Sequence, residues 1–196
     1  MINKRNLMVL VFLAGGGFVF ASQEKCVFYA DGLIECPVAV DYTRTIEQAI
    51  EAGGYNWSSE YINSKNFNKE SNPESDPKKD VESTRQNSRV PTQIVLIQFN
   101  RHFYNAEDVK TALGELKSDH APNGYRPAKP HELLALGFQY QDLQVKDWVG
   151  LGSSWVIPWG YRYVAYFDWY GYRRDFDLFR TAYVWDGAWR FAAVRK

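Results

Sequence analysis

Between Tyr161 and Tyr170 the chain reads YRYVAYFDWY. Tyr161, Tyr163, Ala165, Phe167 and Trp169 alternate with Arg162, Val164, Tyr166, Asp168 and Tyr170, and a period of two is the pattern of a strand. Both of its faces carry large rings, so the strand needs cover on two sides or a use for the side left open. It belongs to a stretch, residues 147–196, that holds half of the chain's aromatic residues, interleaved with Arg, Asp and Gly. Turns are expected at Pro158 to Gly160, at Tyr170 to Arg173 and at Asp186-Gly187, with a last strand over Trp189 to Val194. Trp148, Trp155, Phe167, Trp189 and Phe191 suit a sheet core. The remaining rings exceed what one sheet face can bury. Tyr, Trp and Arg at this density are what contact surfaces are made of. The candidate ligand-binding residues are therefore Trp159, Tyr161, Tyr163, Tyr166, Trp169, Tyr170, Tyr172, Arg173, Arg174, Tyr183 and Trp185.

The whole chain divides into four parts. Residues 1–21 read as a signal peptide: Lys4 and Arg5, an apolar run from Leu7 to Ala21, and small or β-branched Ala21 and Val19 before the cut. That run is short for a bilayer span, so no membrane span is expected after signal cleavage. Residues 22–63 form a hairpin and helix segment. In it Cys26 and Cys36 flank Ala30-Asp31-Gly32, and a three-residue loop with Gly in the left-handed position pairs Tyr29 with Leu33 and Cys26 with Cys36. Val38 to Tyr42 reads as a strand. Ile46 to Ala52 reads as a helix capped by Thr43 or Thr45 and stopped by Gly53-Gly54. Residues 64–91 are polar, with few large apolar side chains, and read as a linker. Residues 92–196 form the main domain. It opens with the continuous apolar strand Thr92 to Phe99, buried on both faces. A helix from Ala106 to Lys117, capped by Asn105, follows. A second is opened by Pro130 and carries Leu133, Leu134, Leu136 and Phe138.

The chemistry-bearing residues are sparse. With 23 basic and 23 acidic side chains the net charge is zero, which speaks against broad nucleic-acid binding. His102, His120 and His131 are scattered, and His131-Glu132 lacks a second histidine four residues on. Gly152-Ser153-Ser154-Trp155 lacks the second glycine of a nucleophile elbow, and Gly150 and Gly152 mark a bulge or tight strand turn. Asp175 and Asp177 share a strand face, where pairing with Arg173, Arg174 or Arg180 is their expected fate. No catalytic residue, metal ligand or cofactor is assigned, and the expected activity is not enzymatic.

Residues Asn105 to Val109, followed by Gly124-Tyr125-Arg126-Pro127 and Glu132-Leu133-Leu134-Ala135, resemble the central block of the C-type lectin fold of the formylglycine-generating-enzyme type. The closing Trp189 to Arg195 is similar to the terminal strand of those domains. The resemblance covers residues 92–196 and implies an α+β, C-type-lectin-like domain: two helices plus twisted antiparallel strands. It implies no oxidase chemistry, because this region has no cysteine, and no calcium-dependent sugar site, because the Glu-Pro-Asn and Trp-Asn-Asp triplets of those lectins are missing. The aromatic C-terminus also resembles the variable proteins of diversity-generating retroelements, which display Tyr, Asp, Ser and Arg near the C-terminus. A group of bacterial exported proteins shares Arg126-Pro127-Ala128, Glu132 to Ala135, Gly150 to Ser153 and Arg190 to Lys196. The expectation is an exported binding protein, with a disulfide, whose partner is a protein or a glycan. The alternatives are a structural envelope-assembly protein or an enzyme of unfamiliar type.

Overall fold

Ile94, Val95, Leu96 and Ile97 are all buried, as a continuous apolar run in a central strand demands. The computed structural model, which describes residues 25–67, 89–141, 143, 148–170 and 173–196, places them near the middle of one nine-stranded sheet. The elements in chain order are β1 (Val27–Phe28), β2 (Ile34–Val40), α1 (Ile46–Gly53), β3 (Trp57–Ser58) and β4 (Val90–Ile97), followed by α2 (Ala106–Glu115), β5 (Tyr125–Pro127) and α3 (Pro130–Gln139). Then come β6 (Trp148–Val156), β7 (Arg162–Tyr170), β8 (Arg173–Arg180) and β9 (Arg190–Arg195). Across the sheet the order is β1-β2-β4-β9-β6-β7-β8-β3, with β5 paired to β9. The pairings are antiparallel except β6 with β9 and β3 with β8.

Alternation gives this sheet a core on each face. Ile34, Cys36, Val38 and Val40 of β2, Ile94 and Leu96 of β4, Phe167 of β7 and Phe176 of β8 pack with Ile46 of α1 and Leu133, Leu134 and Leu136 of α3. The intervening Val95 and Ile97, with Val149, Leu151, Val164 and Phe191, pack with Val109, Ala112 and Leu113 of α2 and with Trp185. Each β4 neighbour therefore feeds a different core, which is why the run is apolar without interruption.

The expected α+β, C-type-lectin-like architecture is overturned. Among the described residues the protein is mostly β, a mixed nine-stranded sheet with three short helices, rather than two helices behind an antiparallel set. The hairpin and helix segment supplies the difference. β2 pairs with β4 along seven residues, from Ile34 opposite Leu96 to Val40 opposite Val90, and β3 lies beside β8 at the far edge. The apolar alternation of β2 makes it half of a buried pair, so it extends the sheet. Residues 1–24, where the signal peptide is expected, and 68–88 of the expected linker lie outside the described residues. Phe67 is buried in the first core, and Val90 and Pro91 already belong to β4. No helix among the described residues is long and apolar enough to cross a membrane.

Local expectations held closely. Thr45 caps α1 in a capping box with Gln48, Gly54 closes the helix in the left-handed region, and Asn105 caps α2. In the first hairpin Val27 faces Glu35 and Phe28 faces Ile34, the register that sets Cys26 opposite Cys36, and Gly32 takes a φ of 85°. The two cysteines form a disulfide with a Cα–Cα distance of 4.2 Å. Because it closes only a short loop on an edge of the sheet, replacing both cysteines by Ser is expected to cost about 2–3 kcal/mol. Thermal melts with and without reductant measure this. Identical curves would show that the bridge contributes nothing.

Among the described residues one charged group is fully buried. Glu132, at the third position of α3, has no exposed surface and accepts four bonds. Arg126 grips both its oxygens at 2.6 and 2.9 Å, the Lys129 backbone N–H donates at 2.7 Å, and the Tyr42 hydroxyl at 2.8 Å. Burial alone would push this carboxyl up, but the Arg126 bonds, with the Lys129 N–H and Tyr42, hold it below its ordinary range. The Arg-Pro…Glu motif that carried the resemblance is thus a staple between β5 and α3.

Candidate functional site

A bulge decides which rings share a face. β6 pairs with β7 as Trp148 to Phe167 and Gly150 to Ala165, and the register then slips before Trp155 meets Tyr163. Without the slip Trp155, seven residues after Trp148, would point to the opposite side. Gly152 sits inside the slip, where a Cβ would lie 2.7 Å from the Ala128 carbonyl oxygen. The expected bulge at these glycines is therefore present. Tyr163 in turn faces Arg180 of β8, so Trp155, Tyr163 and Arg180 form one row across three strands.

This row lies at the end of the first core, beyond the helices. All three residues are partly exposed, which marks where the cover ends. Tyr61 stacks on Trp155 at 5.0 Å with an interplanar angle of 16°. Tyr161, two residues before Tyr163, is 46% exposed, and the Arg180 guanidinium lies 3.8 Å from its ring centre. Tyr183 is 56% exposed, with its ring 5.9 Å from the same guanidinium. Trp159, on the β6–β7 turn, is 81% exposed. That turn is closed by the Ile157 N–H donating to the Tyr161 carbonyl and the Gly160 N–H to the Ile157 carbonyl, so the ring is displayed by a fixed loop.

Thr181 ties the surrounding segments together. Its N–H donates to the Arg162 carbonyl at 2.9 Å, and its own carbonyl accepts from the Ala106 N–H at 3.0 Å and from the Trp185 indole N–H at 3.4 Å. The start of β7, the segment after β8 and the N-terminus of α2 are thus held at one point. The exposed Tyr104 and Val184 flank it.

Of the expected contact residues, Trp159, Tyr161, Tyr163 and Tyr183 gather at this end. The others do not. Trp185 is fully buried, its ring packed against Phe179 at 4.9 Å and Trp189 at 5.0 Å, so it builds the second core and offers no surface. Arg174 is spent on the fold: its guanidinium donates to the Gly137 carbonyl at 2.6 Å and the Gly53 carbonyl at 3.2 Å, closing the C-terminal ends of α3 and α1. Arg173 pairs with Asp175 at 3.0 Å. Tyr166 sits on the opposite face, edge-on to Phe179 and Trp189. Trp169 lines a cavity of about 20 Å³ with Trp148, Phe167, Asp168 and Arg174, room for about one water molecule. Tyr172 and the side chain of Tyr170 lie outside the described residues. Phe138, expected on the apolar stripe of α3, is exposed.

Trp155 and Arg180 of the row, and Tyr61 stacked on it, are not among the expected contact residues. The sequence pattern places Trp155 in the core, against which it does pack, Arg180 in an ion pair, and Tyr61 in the hairpin and helix segment. The bulge signal at Gly150 and Gly152 was the one clue to Trp155. Other hollows are differently made. A groove of about 420 Å³ runs beside Tyr42, Arg126, Lys129 and Arg195, where Arg126 and Arg195 are engaged by Glu132 and Glu35. The histidines do not converge: His131 meets Tyr42 and the Arg44 carbonyl, His120 meets Tyr29, and His102 is exposed. Burial pushes His131 below its ordinary range, so it is neutral at pH 7. No protein-family model, curated protein or solved structure matches the chain.

Proposed function

We propose that this is an exported, non-catalytic binding protein that recognises a protein or glycan ligand through the exposed end of β6, β7 and β8. The observation that carries the reading is the partly uncovered row of Trp155, Tyr163 and Arg180, extended by Tyr61, Tyr161, Tyr183 and Trp159. Rigid rings with polar tips lose little entropy on binding, and here a bulge, a closed turn and the Thr181 node hold them in place. The Cys26–Cys36 disulfide is compatible with the oxidising compartment that export implies.

The test is a triple variant, Trp159→Ser, Tyr161→Ser and Tyr183→Ser. These side chains are largely solvent-exposed, so the melting temperature is expected to stay close to that of the wild type. Both proteins are screened against a glycan array and a displayed peptide library. The triple variant is expected to lose at least about tenfold in affinity for whatever the wild type binds. A folded variant that keeps every interaction of the wild type would remove this surface from consideration.

A further inference from the structure

Arg180 differs from the arginines that a carboxylate holds. Arg44, Arg126, Arg173 and Arg195 are paired with Asp41, Glu132, Asp175 and Glu35. Among the described residues Arg180 is in no ion pair, and its buried Nε–H makes no hydrogen bond. The sheet register explains this. Its cross-strand neighbour is Tyr163, while Asp177 lies an odd number of residues away on β8, on the face shared with Tyr166, and accepts from the Leu178 N–H at 2.7 Å. The guanidinium is instead bracketed by the rings of Tyr161 and Tyr183. Arg162, on the same rim and also in no ion pair, donates to the Ser154 hydroxyl at 2.6 Å. The exposed end thus holds two cations that no carboxylate among the described residues neutralises.

We propose that Arg180 anchors a carboxylate of the partner, and that the partner is an acidic protein segment. This rests on the reading of the β6–β8 end as a contact surface. A guanidinium centred over a ring, as Arg180 is at 3.8 Å from the Tyr161 centroid, can direct its N–H fork outward for two parallel bonds to a carboxylate, and the neighbouring rings exclude water from that pair. A protein fits better than an acidic glycan because Val156 and Val184, 45% and 48% exposed on the same rim, give apolar area that only an apolar surface rewards. Electrostatic complementarity then sets the orientation of the segment.

The experiment pans a displayed library of random dodecapeptides on the wild type, on Arg180→Gln and on the Trp159/Tyr161/Tyr183 triple variant, followed by titration of synthetic peptides from the wild-type pool. The wild-type pool is expected to be enriched in Asp and Glu beside apolar residues. Its peptides should bind Arg180→Gln about ten- to hundredfold more weakly, and Arg180→Lys should fall between, since Lys keeps the charge but not the fork. Arg180 is in no ion pair among the described residues and loses only its contacts with the Tyr161 and Tyr183 rings, so these variants should melt within a few degrees of the wild type. A pool without acidic enrichment, or peptides that bind Arg180→Gln as well as the wild type, overturns the proposal. If the triple variant loses those peptides while Arg180→Gln keeps them, this inference fails and the contact surface stands. If the triple variant also keeps them, the contact surface fails as well. Arg180-dependent binding to uronic or sialic acids on an array, without binding to acidic peptides, overturns the choice of a protein partner.

Discussion

Arg126→Met is expected to lower the unfolding free energy by about 3 kcal/mol at pH 7. The reason is the state in which it leaves Glu132. With no exposed surface, that carboxylate would keep only the Lys129 N–H and the Tyr42 hydroxyl, and an uncompensated buried charge costs about 3–5 kcal/mol. The lower figure applies because the Arg126 side chain is itself 36% exposed, so part of its attraction is already screened. The pH dependence should reverse between the two proteins. In the wild type the folded-state pKa of Glu132 is depressed, so its contribution is present above the unfolded value of about 4.3 and is lost as pH falls through the folded value. Glu47 acts in the same direction: burial opposes it, but bonds from the Ser64 hydroxyl and N–H hold it at about 2. In Arg126→Met burial prevails and raises the Glu132 pKa, so protonation relieves the penalty and the deficit against the wild type narrows on acidification. Urea unfolding of both proteins at pH 7 and pH 4.5 measures this. A deficit below about 1 kcal/mol, or one that does not change with pH, would show the pair to be a solvated bridge.

The same residues show what a sequence can and cannot reveal. Local signals were legible because they act over a few residues: the Thr45 and Asn105 caps, the Gly54 stop and the Ala30-Asp31-Gly32 loop all sit where short-range rules put them. The hairpin register followed from its loop, and with it the disulfide. The burial of β4 followed from its unbroken apolar run. What failed was long-range. Nothing in Ile34 to Val40 says that its partner is β4, more than fifty residues later, and that one pairing turns a supposed appendage into part of the sheet. Arg-Pro…Glu likewise suggested a family through its spacing, whereas its physical content is a buried charge with all its bonds satisfied.

The candidate site was half legible for a related reason. Counting rings pointed to a stretch from which Trp159, Tyr161, Tyr163 and Tyr183 gather at one exposed end. Assigning them by residue type did not sort inside from outside. Trp185 and Trp155 are both tryptophans near turns, yet one is sealed in the second core and the other lies at an open end because the bulge turned it there. Arg173 and Arg174 are adjacent, and neither is left over for a ligand. Arg180 is in no ion pair among the described residues, because register sets it opposite a tyrosine.

Trp185→Ala is the sharpest test of that sorting, with an expected loss of about 3–5 kcal/mol and no direct loss of contact area at the surface. The ring is fully buried and meets Phe179, Trp189 and Phe191 at 4.9, 5.0 and 5.8 Å, so truncation opens a cavity walled by β8, β9 and the turn before β9, which cannot all close upon it. Its backbone exchanges two hydrogen bonds with Phe103, at 2.8 and 2.9 Å, and these survive the substitution. The indole bond to the Thr181 carbonyl does not, and Thr181 is the node that holds the start of β7 and the head of α2. Trp185→Phe separates the two contributions. It keeps much of the packing and loses the 3.4 Å bond, so it should cost far less than the alanine variant, while the Thr181 amide exchanges faster in both. Chemical denaturation gives the energies and hydrogen exchange the local opening. Were Trp185→Ala to fold with near wild-type stability and lose ligand binding outright, the residue would be a contact residue after all and the inside-outside assignment of this stretch would have to be redrawn. The packing around the ring requires the opposite order: stability falls first, and binding weakens only as the Thr181 node loosens beneath Arg180 and Tyr183.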